Sequence, residues 1–258
     1  MERKQLTNRL KKLIYSLILK RDREENKLFT VEGVKLCKEL LESNFKTEFV
    51  VVKEGENQEL EHIAVQLSKL GAELFYSSEK QFKQISDTVT PQGILAVVKF
   101  PEIKQEILGN FIMLDGIADP GNFGTIIRTA DWFGLRNIVI GNGTADHFSP
   151  KVIRSTMGSI FRCNIFQPND LVEFLSPLSE RYEIYGAILE GSVKLEECKP
   201  VKNFGLVFGS EPRGISPDVK KLISKEFIIT GIGKAESLNV AVAAGISMFH
   251  FSKFQYNS

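Results

Sequence analysis

The sequence is poor in groups that hold metals or form disulfides. Only three of its 258 residues are cysteines, Cys37, Cys163 and Cys198. They are too few and too widely separated for a disulfide framework or a zinc site, so we expect reduced, buried thiols. The three histidines are His62, His147 and His250. None has a cysteine or carboxylate at ligand spacing, so no metal centre is expected.

Long apolar runs are also missing. No run approaches the roughly 20 residues that span a bilayer, and residues 1–9 lack the apolar core of a signal peptide. With 43% hydrophobic and 25% charged residues, the composition is that of an ordinary globular protein with one large domain or two modest ones. We therefore predict a cytoplasmic protein with no membrane contact.

Charge of one sign is scarce as well. The formal net charge is +1, so no field over the whole chain attracts a polyanion, and any nucleic-acid contact must use local basic patches. Residues 1–27 are such a patch, with nine Lys and Arg against four Asp and Glu. Apolar residues at helical spacing predict an amphipathic helix over residues 2–20, with its basic residues mostly on the opposite face.

Two parts follow from the pattern of strands and helices. Residues 28–100 alternate short apolar strands with helical segments, and the polar stretch 101–110 interrupts the alternation. The second part opens with a strand at 111–115, a loop through Gly124, a helix to Gly134 and a strand at 137–140. Strands that alternate with helices predict a mainly parallel sheet. We place the domains at 1–104 and 105–258.

Glycine-bearing segments in the second part indicate a site. The first, residues 122–128, places Asn122, Gly124 and Arg128 where a loop meets a helix, after a strand. Ligands of parallel sheets collect at the carboxyl ends of strands, and an arginine there can clamp a phosphate. In the alternative interpretation Asn122 only caps the helix and Arg128 only pairs with a surface acid.

Two further segments share this position in the chain. Gly209, Glu211 and Gly214 lie in a sharp turn after a strand, and Ser237 and Asn239 stand at the start of a helix. Taken singly, the second segment is better explained as a plain strand-to-helix turn, and the third can be a capped helix packed against a sheet. A cap needs only one polar residue, however, and the third segment has two.

These residues resemble the SpoU (TrmH-type) branch of the SPOUT RNA methyltransferases. The family's three motifs are N-x-G-x-x-x-R-x-A-x-x-F-G, G-x-E-x-x-G and S-L-N-V-x-V-A, and all three are present in that order. The matching residues are Asn122, Gly124, Arg128, Ala130, Phe133 and Gly134, then Gly209, Glu211 and Gly214, then Ser237 to Ala243. A further stretch typical of the family covers residues 149–159.

The first part carries a weaker resemblance. Residues 29–33, after the basic helix, are similar to the N-terminal substrate-binding domain of ribosomal-protein L30e type that many of these enzymes have. Two positions depart from the family pattern. Pro212 replaces the frequent glycine after the second-motif glutamate, and Thr230 stands where the family often has proline. Both departures touch the expected cofactor pocket.

The resemblance implies a fold, a reaction and a set of residues. The fold is a C-terminal α/β domain with a deep trefoil knot, preceded by a smaller L30e-like α/β domain, in a homodimer joined through the knotted domain. The reaction is methylation of a ribose 2′-hydroxyl in RNA, with S-adenosylmethionine as methyl donor. The N-terminal domain favours ribosomal RNA as substrate, and transfer RNA is the alternative. The implied catalytic residues are Asn122, Arg128, Glu211, Ser237 and Asn239. The implied cofactor contacts are Gly209, Ile229, Ile232, Leu238 and Asn239.

Basic residues of the first part are candidate RNA contacts. They are Arg9, Lys11, Lys12 and Lys35, with Arg128 in the second part. A solvated helix face is the alternative for the N-terminal group. The family's proposed base is Arg128, yet guanidinium groups are almost fully protonated at pH 7, so its role as base or as electrostatic clamp stays open.

Other functional classes remain possible from the sequence. A family member could bind RNA without methylating it, although the motif residues are intact. A small-molecule nucleotide-binding enzyme would need a G-x-G-x-x-G or Walker loop, and the sequence has neither.

Overall fold

A computed structural model describes residues 3–55, 57–102, 106–199 and 203–253. The chain divides into two compact units, one formed by residues 1–102 with 146–161 and the other by residues 103–145 with 162–258. The boundary predicted after residue 104 falls on residues 103–105, which lie outside the described residues.

The helices and strands alternate along both units. In chain order they are α1 Asn8–Ser16, α2 Lys20–Asn26, β1 Leu28–Glu32, α3 Val34–Leu41, β2 Thr47–Lys53, α4 Gln58–Lys69, β3 Glu73–Ser77, α5 Glu79–Ile85, β4 Ile94–Lys99, β5 Phe111–Asp115, α6 Pro120–Trp132, β6 Asn137–Ile140, α7 Pro150–Thr156, β7 Asn164–Phe166, α8 Leu171–Arg181, β8 Glu183–Ala187, β9 Val193–Lys194, β10 Phe204–Gly209, α9 Pro217–Lys220, β11 Lys225–Ile228 and α10 Val240–Ser252. None of the helices in the described part of the chain combines the length and apolar composition needed to span a bilayer.

The first unit is built on a four-stranded sheet in the order β1-β4-β2-β3. Strand β4 is antiparallel to β1 and β2, while β2 and β3 are parallel. On one face α1 and α5 bury their apolar residues against the sheet, with Ile14, Leu17 and Phe82 almost inaccessible to solvent. The predicted alternation of strands and helices is confirmed for this unit.

The predicted N-terminal helix is shorter than expected. It begins at Asn8, where the Thr7 hydroxyl accepts a hydrogen bond from the backbone N–H of Leu10, and a second helix starts at Lys20. Residues 4–6 are extended instead and exchange backbone hydrogen bonds with Tyr76 of β3. Pairing with an edge strand outweighs the helical pattern of these residues, so the prediction of one helix over 2–20 is wrong.

Residues 146–161 pack with the first unit, although the sequence assigned them to the domain 105–258. The Phe148 ring stacks on Phe29 with centroids 4.4 Å apart and lies 4.5 Å from Phe100. Asp146 forms an ion pair with the buried Arg23. Five large apolar or charged side chains that are far apart in sequence thus share one core, which sequence periodicity does not reveal.

The second unit has a seven-stranded sheet in the order β7-β6-β5-β10-β8-β11-β9, and all its strand pairs are parallel. All residues of β5 are buried, as expected of a parallel strand covered on both faces. From β5 the strand order runs through β6 to one side and through β10 to the other. Such a reversal leaves a crevice at the carboxyl ends of the strands, where ligands bind. The prediction of a mainly parallel α/β domain is confirmed.

Helix α6 begins earlier than predicted. Its N-cap is Asp119, which accepts a hydrogen bond from the backbone N–H of Asn122 at 2.7 Å. Pro120 fills the first helical position, where its missing N–H costs nothing. Asn122 and Gly124 are therefore helical residues, not loop residues, and Asn122 does not cap the helix as the alternative interpretation supposed.

Candidate active site

One polar residue from each of the three motifs meets the other two in the second unit. The Asn239 side-chain amide Nδ2 donates to Asn122 Oδ1 at 2.9 Å and to Glu211 Oε1 at 3.1 Å. Asn122 Nδ2 donates to the same Glu211 oxygen at 3.3 Å. The sequence therefore predicted three residues that the fold brings into one hydrogen-bonded cluster, which we call the Asn122–Glu211–Asn239 cluster.

The start of α10 fixes the orientation of Asn239. Its Oδ1 accepts from the backbone N–H groups of Ala241 and Val242, at 3.0 and 3.3 Å, and so caps the helix. Because the oxygen must face these donors, Nδ2 must point toward the other two members of the cluster. The backbone N–H of Val240 adds a hydrogen bond to Glu211 Oε1 at 3.4 Å. Asn239 is thus both cap and bridge, whereas Ser237, the second polar residue of this segment, is exposed.

A tight turn after β10 carries Glu211. Ser210 and Gly214 exchange two backbone hydrogen bonds, of 3.1 and 2.8 Å, which close the turn. A Cβ on Gly209 would lie 2.1 Å from the carbonyl carbon of Gly214, so only glycine fits there. Gly214 itself has a φ of +65°, which favours glycine. Both motif glycines are thus required by the geometry of the turn, and the turn places Glu211 within hydrogen-bonding distance of Asn122 and Asn239.

Arg128 lies on α6, six residues beyond Asn122 and about 9 Å along the helix axis. Its side chain is exposed, and no residue in the described ranges forms a hydrogen bond or ion pair with it. The nearby acid Asp131 instead holds Arg136 and Arg162, at 3.2 and 2.7 Å. An exposed guanidinium with no internal partner is available to an external anion.

The other residues assigned to catalysis and cofactor binding are more open. Gly209 and Ile229 are half-buried, whereas Ser237, Ile232 and Leu238 are exposed, Leu238 at 44%. The structure places Gly209 beside the cluster through its turn. Within the described ranges, Ile229, Ile232, Ser237 and Leu238 form no hydrogen bond with the cluster, so their roles stay predictions.

Basic residues of the first unit lie on helices α1 and α3. Arg9, Lys12 and Lys35 are exposed and Lys11 is half-buried. No acid in the described ranges pairs with any of these four, whereas the neighbouring Lys38 binds Glu59 at 2.7 Å. The candidate RNA contacts are therefore unneutralised cations.

A cavity of about 960 Å³ adjoins the cluster, and the sequence did not indicate it. The loops after β5, β6, β7 and β10 line it, at the carboxyl ends of these strands. Asp115 ends β5 with its side chain buried, and its Oδ2 accepts from the Ser216 backbone N–H at 2.7 Å. The sequence feature that could have indicated the cavity is the run of Gly, Asn and Asp residues after each strand. Ordinary turns contain the same residues, so this feature is not specific.

Burial makes the Cys37 and Cys163 thiols poor nucleophiles. Burial raises the pKa of the Cys37 and Cys163 thiols to about 12, which keeps them protonated and unreactive. All three cysteines are free and buried. Within the described ranges, no group of three or more His, Cys, Asp or Glu side chains could hold a metal ion.

Known proteins share both units of this chain. A model of the SpoU rRNA Methylase family matches residues 109–249, and a model of the MRM3-like substrate binding domain matches residues 8–96. The 23S rRNA (guanosine(2553)-2′-O)-methyltransferase RlmP of Bacillus subtilis (strain 168) is 34% identical over 234 residues, which cover 90% of this chain and 91% of that protein.

Solved structures agree with these matches. A protein of the TrmH family from Porphyromonas gingivalis is 35% identical, with a TM-score of 0.85 over 97% of this chain and 99% of its own. The AdoMet-bound rRNA methyltransferase from Sinorhizobium meliloti is 29% identical, with a TM-score of 0.86 over 100% of this chain and 99% of its own. The chain therefore belongs to the SpoU rRNA methylase family.

Proposed function

We propose that this protein transfers a methyl group from S-adenosylmethionine to a ribose 2′-hydroxyl of ribosomal RNA. One observation carries the proposal: the Asn122–Glu211–Asn239 cluster assembles three separate motifs on the same edge of the sheet. The same unit carries the exposed Arg128, which has no ion-pair partner among the described residues. A plain turn, a plain helix cap and a residue in the first turn of another helix would not need to meet. The relative RlmP, named for guanosine 2′-O-methylation of 23S rRNA, supports the choice of RNA.

The cofactor fits the residues that the second unit offers. Ile232 and Leu238 expose apolar side chains in the segment that leads to the Asn239 cap, and apolar surface of this kind suits an adenosine. When bound, S-adenosylmethionine supplies a methyl group made electrophilic by a positively charged sulfur. Gly209, Ile229, Ile232, Leu238 and Asn239 are the residues that would hold it.

The protein's own task is alignment and removal of one proton. Positioning alone lowers such a barrier by roughly 7–11 kcal/mol. In our proposal Arg128 holds the target phosphate and stabilises the negative charge that develops on the ribose oxygen. Asn122 orients the substrate, Glu211 fixes both amides of the cluster, and Ser237 completes the polar rim. These residues would hold the ribose oxygen against the methyl group while the hydroxyl proton passes to a base, either solvent water or Arg128, and the cofactor that has lost its methyl group would leave as a neutral thioether.

We also propose that the protein is a homodimer joined through the second unit. Helix α10 exposes Val242, Ile246 and Phe249 on one face, at 50%, 38% and 51%, and Trp132 at the end of α6 is 83% exposed. Helices α6 and α10 pack together, so these side chains border one apolar surface. Light scattering tests the proposal: replacing Val242 and Ile246 with Arg should halve the mass, while Val89→Arg, at an exposed site in the first unit, should not.

Three finer features complete the proposal. The segment after β11 would thread into a trefoil knot, as the resemblance implies; the sheet order, in which β8 lies between β10 and β11, supports this. The first unit would be the RNA-binding domain, of L30e type, and the protein would work in the cytoplasm, where free cysteines such as these stay reduced.

Methyl transfer in vitro tests the function. Purified protein with radiolabelled S-adenosylmethionine should label ribosomal RNA from cells that lack this gene, and ribose-methylation mapping should place the label on a 2′-oxygen. Label on transfer RNA alone would show that ribosomal RNA is not the substrate. Binding of RNA without any label would leave an RNA-binding protein that does not methylate.

A further inference from the structure

The turn between helices α1 and α2 in the first unit exposes three large apolar side chains. Tyr15 is 67% exposed, Leu19 57% and Ile18 39%. The backbone N–H of Ile18 donates to the Tyr15 carbonyl at 3.3 Å, and that of Leu19 donates to the Ser16 carbonyl at 3.0 Å, so the chain keeps a helical turn past the end of α1. Residues three and four positions apart lie on one side of such a turn. The three side chains therefore form one patch, which we call the Tyr15 corner.

A buried arginine holds the backbone of the Tyr15 corner in place. Arg23 is 2% exposed, and its Nη1 donates to the carbonyl oxygens of Leu17 and Ile18, both at 2.7 Å. Its Nε donates to Asp146 Oδ2 at 3.1 Å, and this ion pair compensates the buried charge. The apolar side chains are therefore exposed on a fixed backbone, and a ligand that binds there meets a preformed surface.

Cations without an acidic partner lie on one side of the Tyr15 corner. Lys11 and Lys12 precede Tyr15 by four and three positions, which makes them its neighbours on the helix surface. Among the residues that the structure describes, no acid pairs with either lysine. On the other side, acids of α2 hold both basic residues that begin this helix; the contacts are Lys20–Glu24 at 3.6 Å and Arg21–Asp22 at 3.0 Å. An anion is therefore attracted to the α1 side of the patch.

The size of the Tyr15 corner distinguishes between possible ligands. The continuous apolar face of α1, which includes Ile14, is buried with Leu17 against the sheet and cannot meet lipid. A stable protein interface buries roughly 800 Å² on each partner, and three partly exposed side chains supply only a fraction of that area. An unpaired base needs only an aromatic ring to stack on and a cation for the adjoining phosphate. Tyr15 with Lys11 and Lys12 meets both needs.

We propose that the Tyr15 corner binds an unpaired base in a single-stranded stretch of the RNA substrate. The base stacks on the Tyr15 ring with Ile18 and Leu19 beside it, and the two lysines hold the adjoining phosphate. In a double helix the bases stack on one another, whereas the bases of loops, bulges and ends can be splayed onto an aromatic side chain. The substrate therefore carries such an element where the first unit binds. The proposal rests on the proposed function for the kind of polymer, but it concerns binding and not methyl transfer.

Two RNA probes test the proposal by fluorescence anisotropy on the full-length protein without S-adenosylmethionine. One is a short labelled single strand of mixed sequence, and the other is the same strand annealed to its complement. The single strand should bind about tenfold more tightly than the duplex, as expected for one stacked base. Equal or tighter binding of the duplex, or no binding of the single strand, would overturn the proposal.

Substitutions of Tyr15 assign the site. Tyr15→Ala should weaken binding of the single strand about tenfold, with an unchanged melting temperature, because the side chain is exposed. It removes no charge, so the slope of log affinity against log salt should stay the same. Tyr15→Phe keeps the ring and should bind as the wild type does. Leu70→Ala, at a site that is 70% exposed at the end of α4, is the matched control and should change nothing.

Stacking would be wrong if Tyr15→Ala bound the single strand as the wild type does, or if Tyr15→Phe bound it as weakly as Tyr15→Ala. Other ligands give other results. Cosedimentation with anionic vesicles that is lost in Tyr15→Ala would assign the corner to a membrane surface. A smaller mass of this variant in light scattering would assign it to a contact between two copies of the chain. Either result would overturn the proposal.

The failure of this proposal and the failure of the proposed function can be told apart. A protein that binds single-stranded RNA through Tyr15 and transfers no methyl group would lose the proposed function and keep the Tyr15 site. A protein that methylates ribosomal RNA at the same rate and with the same KM in the wild type and in Tyr15→Ala would keep the proposed function and lose the Tyr15 site.

Discussion

Asn239 Nδ2 donates a hydrogen bond to Asn122 Oδ1 at 2.9 Å and so joins two helix starts that are 117 residues apart in sequence. The same nitrogen donates to Glu211, while the oxygen of Asn239 caps α10. One amide therefore sets both the start of a helix and the geometry of the cluster. These two roles can be separated by substitution.

Asn239→Asp should keep the cap and destroy the bridge. Aspartate caps a helix as well as asparagine does, so the free energy of unfolding should fall by less than about 1 kcal/mol. The new carboxylate cannot donate, and it would face Glu211 at the position of the present 3.1 Å contact. We expect kcat to fall roughly 10- to 100-fold, as for loss of a hydrogen bond to a charged group.

Chemical denaturation and steady-state methylation on the same preparations measure the two effects. Asn57→Asp, which changes the N-cap of α4 in the first unit, is the matched control and should leave kcat unchanged. A full-rate Asn239→Asp enzyme would show that the bridge has no part in catalysis.

Replacing Arg128 with Ala should abolish methyl transfer and leave cofactor binding intact. The side chain is exposed and unpaired within the described ranges, so its removal should cost almost no stability. Calorimetric titration with S-adenosylmethionine and single-turnover methylation separate the two steps. Retained turnover would reject the role of Arg128 in catalysis. Arg128→Lys distinguishes its two possible roles, because a clamp is partly restored by any cation whereas a proton acceptor would shift the pH profile.

The sequence motifs predicted the cluster, but the sequence did not indicate the cavity. Asn122, Glu211 and Asn239 each follow a strand or start a helix, and parallel strands bring such positions to one edge, so local pattern sufficed. The cavity is formed by loops that follow four different strands, β5, β6, β7 and β10, and no local periodicity shows that these loops enclose a common space.

Tertiary contacts also explain two of the differences between the sequence-based expectation and the fold. Residues 4–6 are drawn into the sheet by Tyr76, although their sequence continues a helical pattern. Residues 146–161 join the first unit through Phe148 and Asp146, whose partners Phe29 and Arg23 lie more than 100 residues away. Both cases involve partners that are distant in sequence, which local patterns do not specify.

The first unit should lose stability as the pH falls from about 6.5 toward 4. Burial lowers the pKa of His147 to about 4, so the folded state holds this ring neutral while the unfolded state takes up a proton below about 6.5. The unfolded state binds more protons throughout this window. The contribution to stability is therefore complete above pH 6.5 and declines by at most about 1.4 kcal/mol for each unit below it.

Urea denaturation at pH 7, 6 and 5 measures this decline in the free energy of unfolding of the first unit. His147→Gln cannot titrate and should give a flatter dependence on pH. The same slope in both proteins would assign the effect to other groups.

Truncation at residue 102 should prevent the first unit from folding. Phe148 is 5% exposed and packs on Phe29 and Phe100, so a fragment without residues 146–161 would uncover both rings and leave Arg23 without Asp146. In the whole chain, Phe148→Ala should cost about 3–5 kcal/mol. Circular dichroism of the fragment and denaturation of the variant test this, with the exposed Tyr15→Ala as control. A fragment 1–102 that melts cooperatively would contradict the assignment.

Charge substitutions on α1 test RNA binding better than removal of residues 1–27, because Ile14, Leu17 and Arg23 belong to the core of the first unit. Arg9→Ala with Lys12→Ala removes two exposed cations and leaves that core intact. If both contact phosphates, the slope of log affinity against log salt should decrease in magnitude by about 1.4 to 1.8.

Filter binding or fluorescence anisotropy on ribosomal RNA at several salt concentrations measures the slope. Lys83→Ala is the matched control, since Lys83 is already held by Glu79 at 2.8 Å on α5 and should contribute little. If the salt dependence is the same in the double variant and the wild type, these residues of α1 form an ordinary solvated helix face. RNA binding would then have to depend on Lys35 and the second unit.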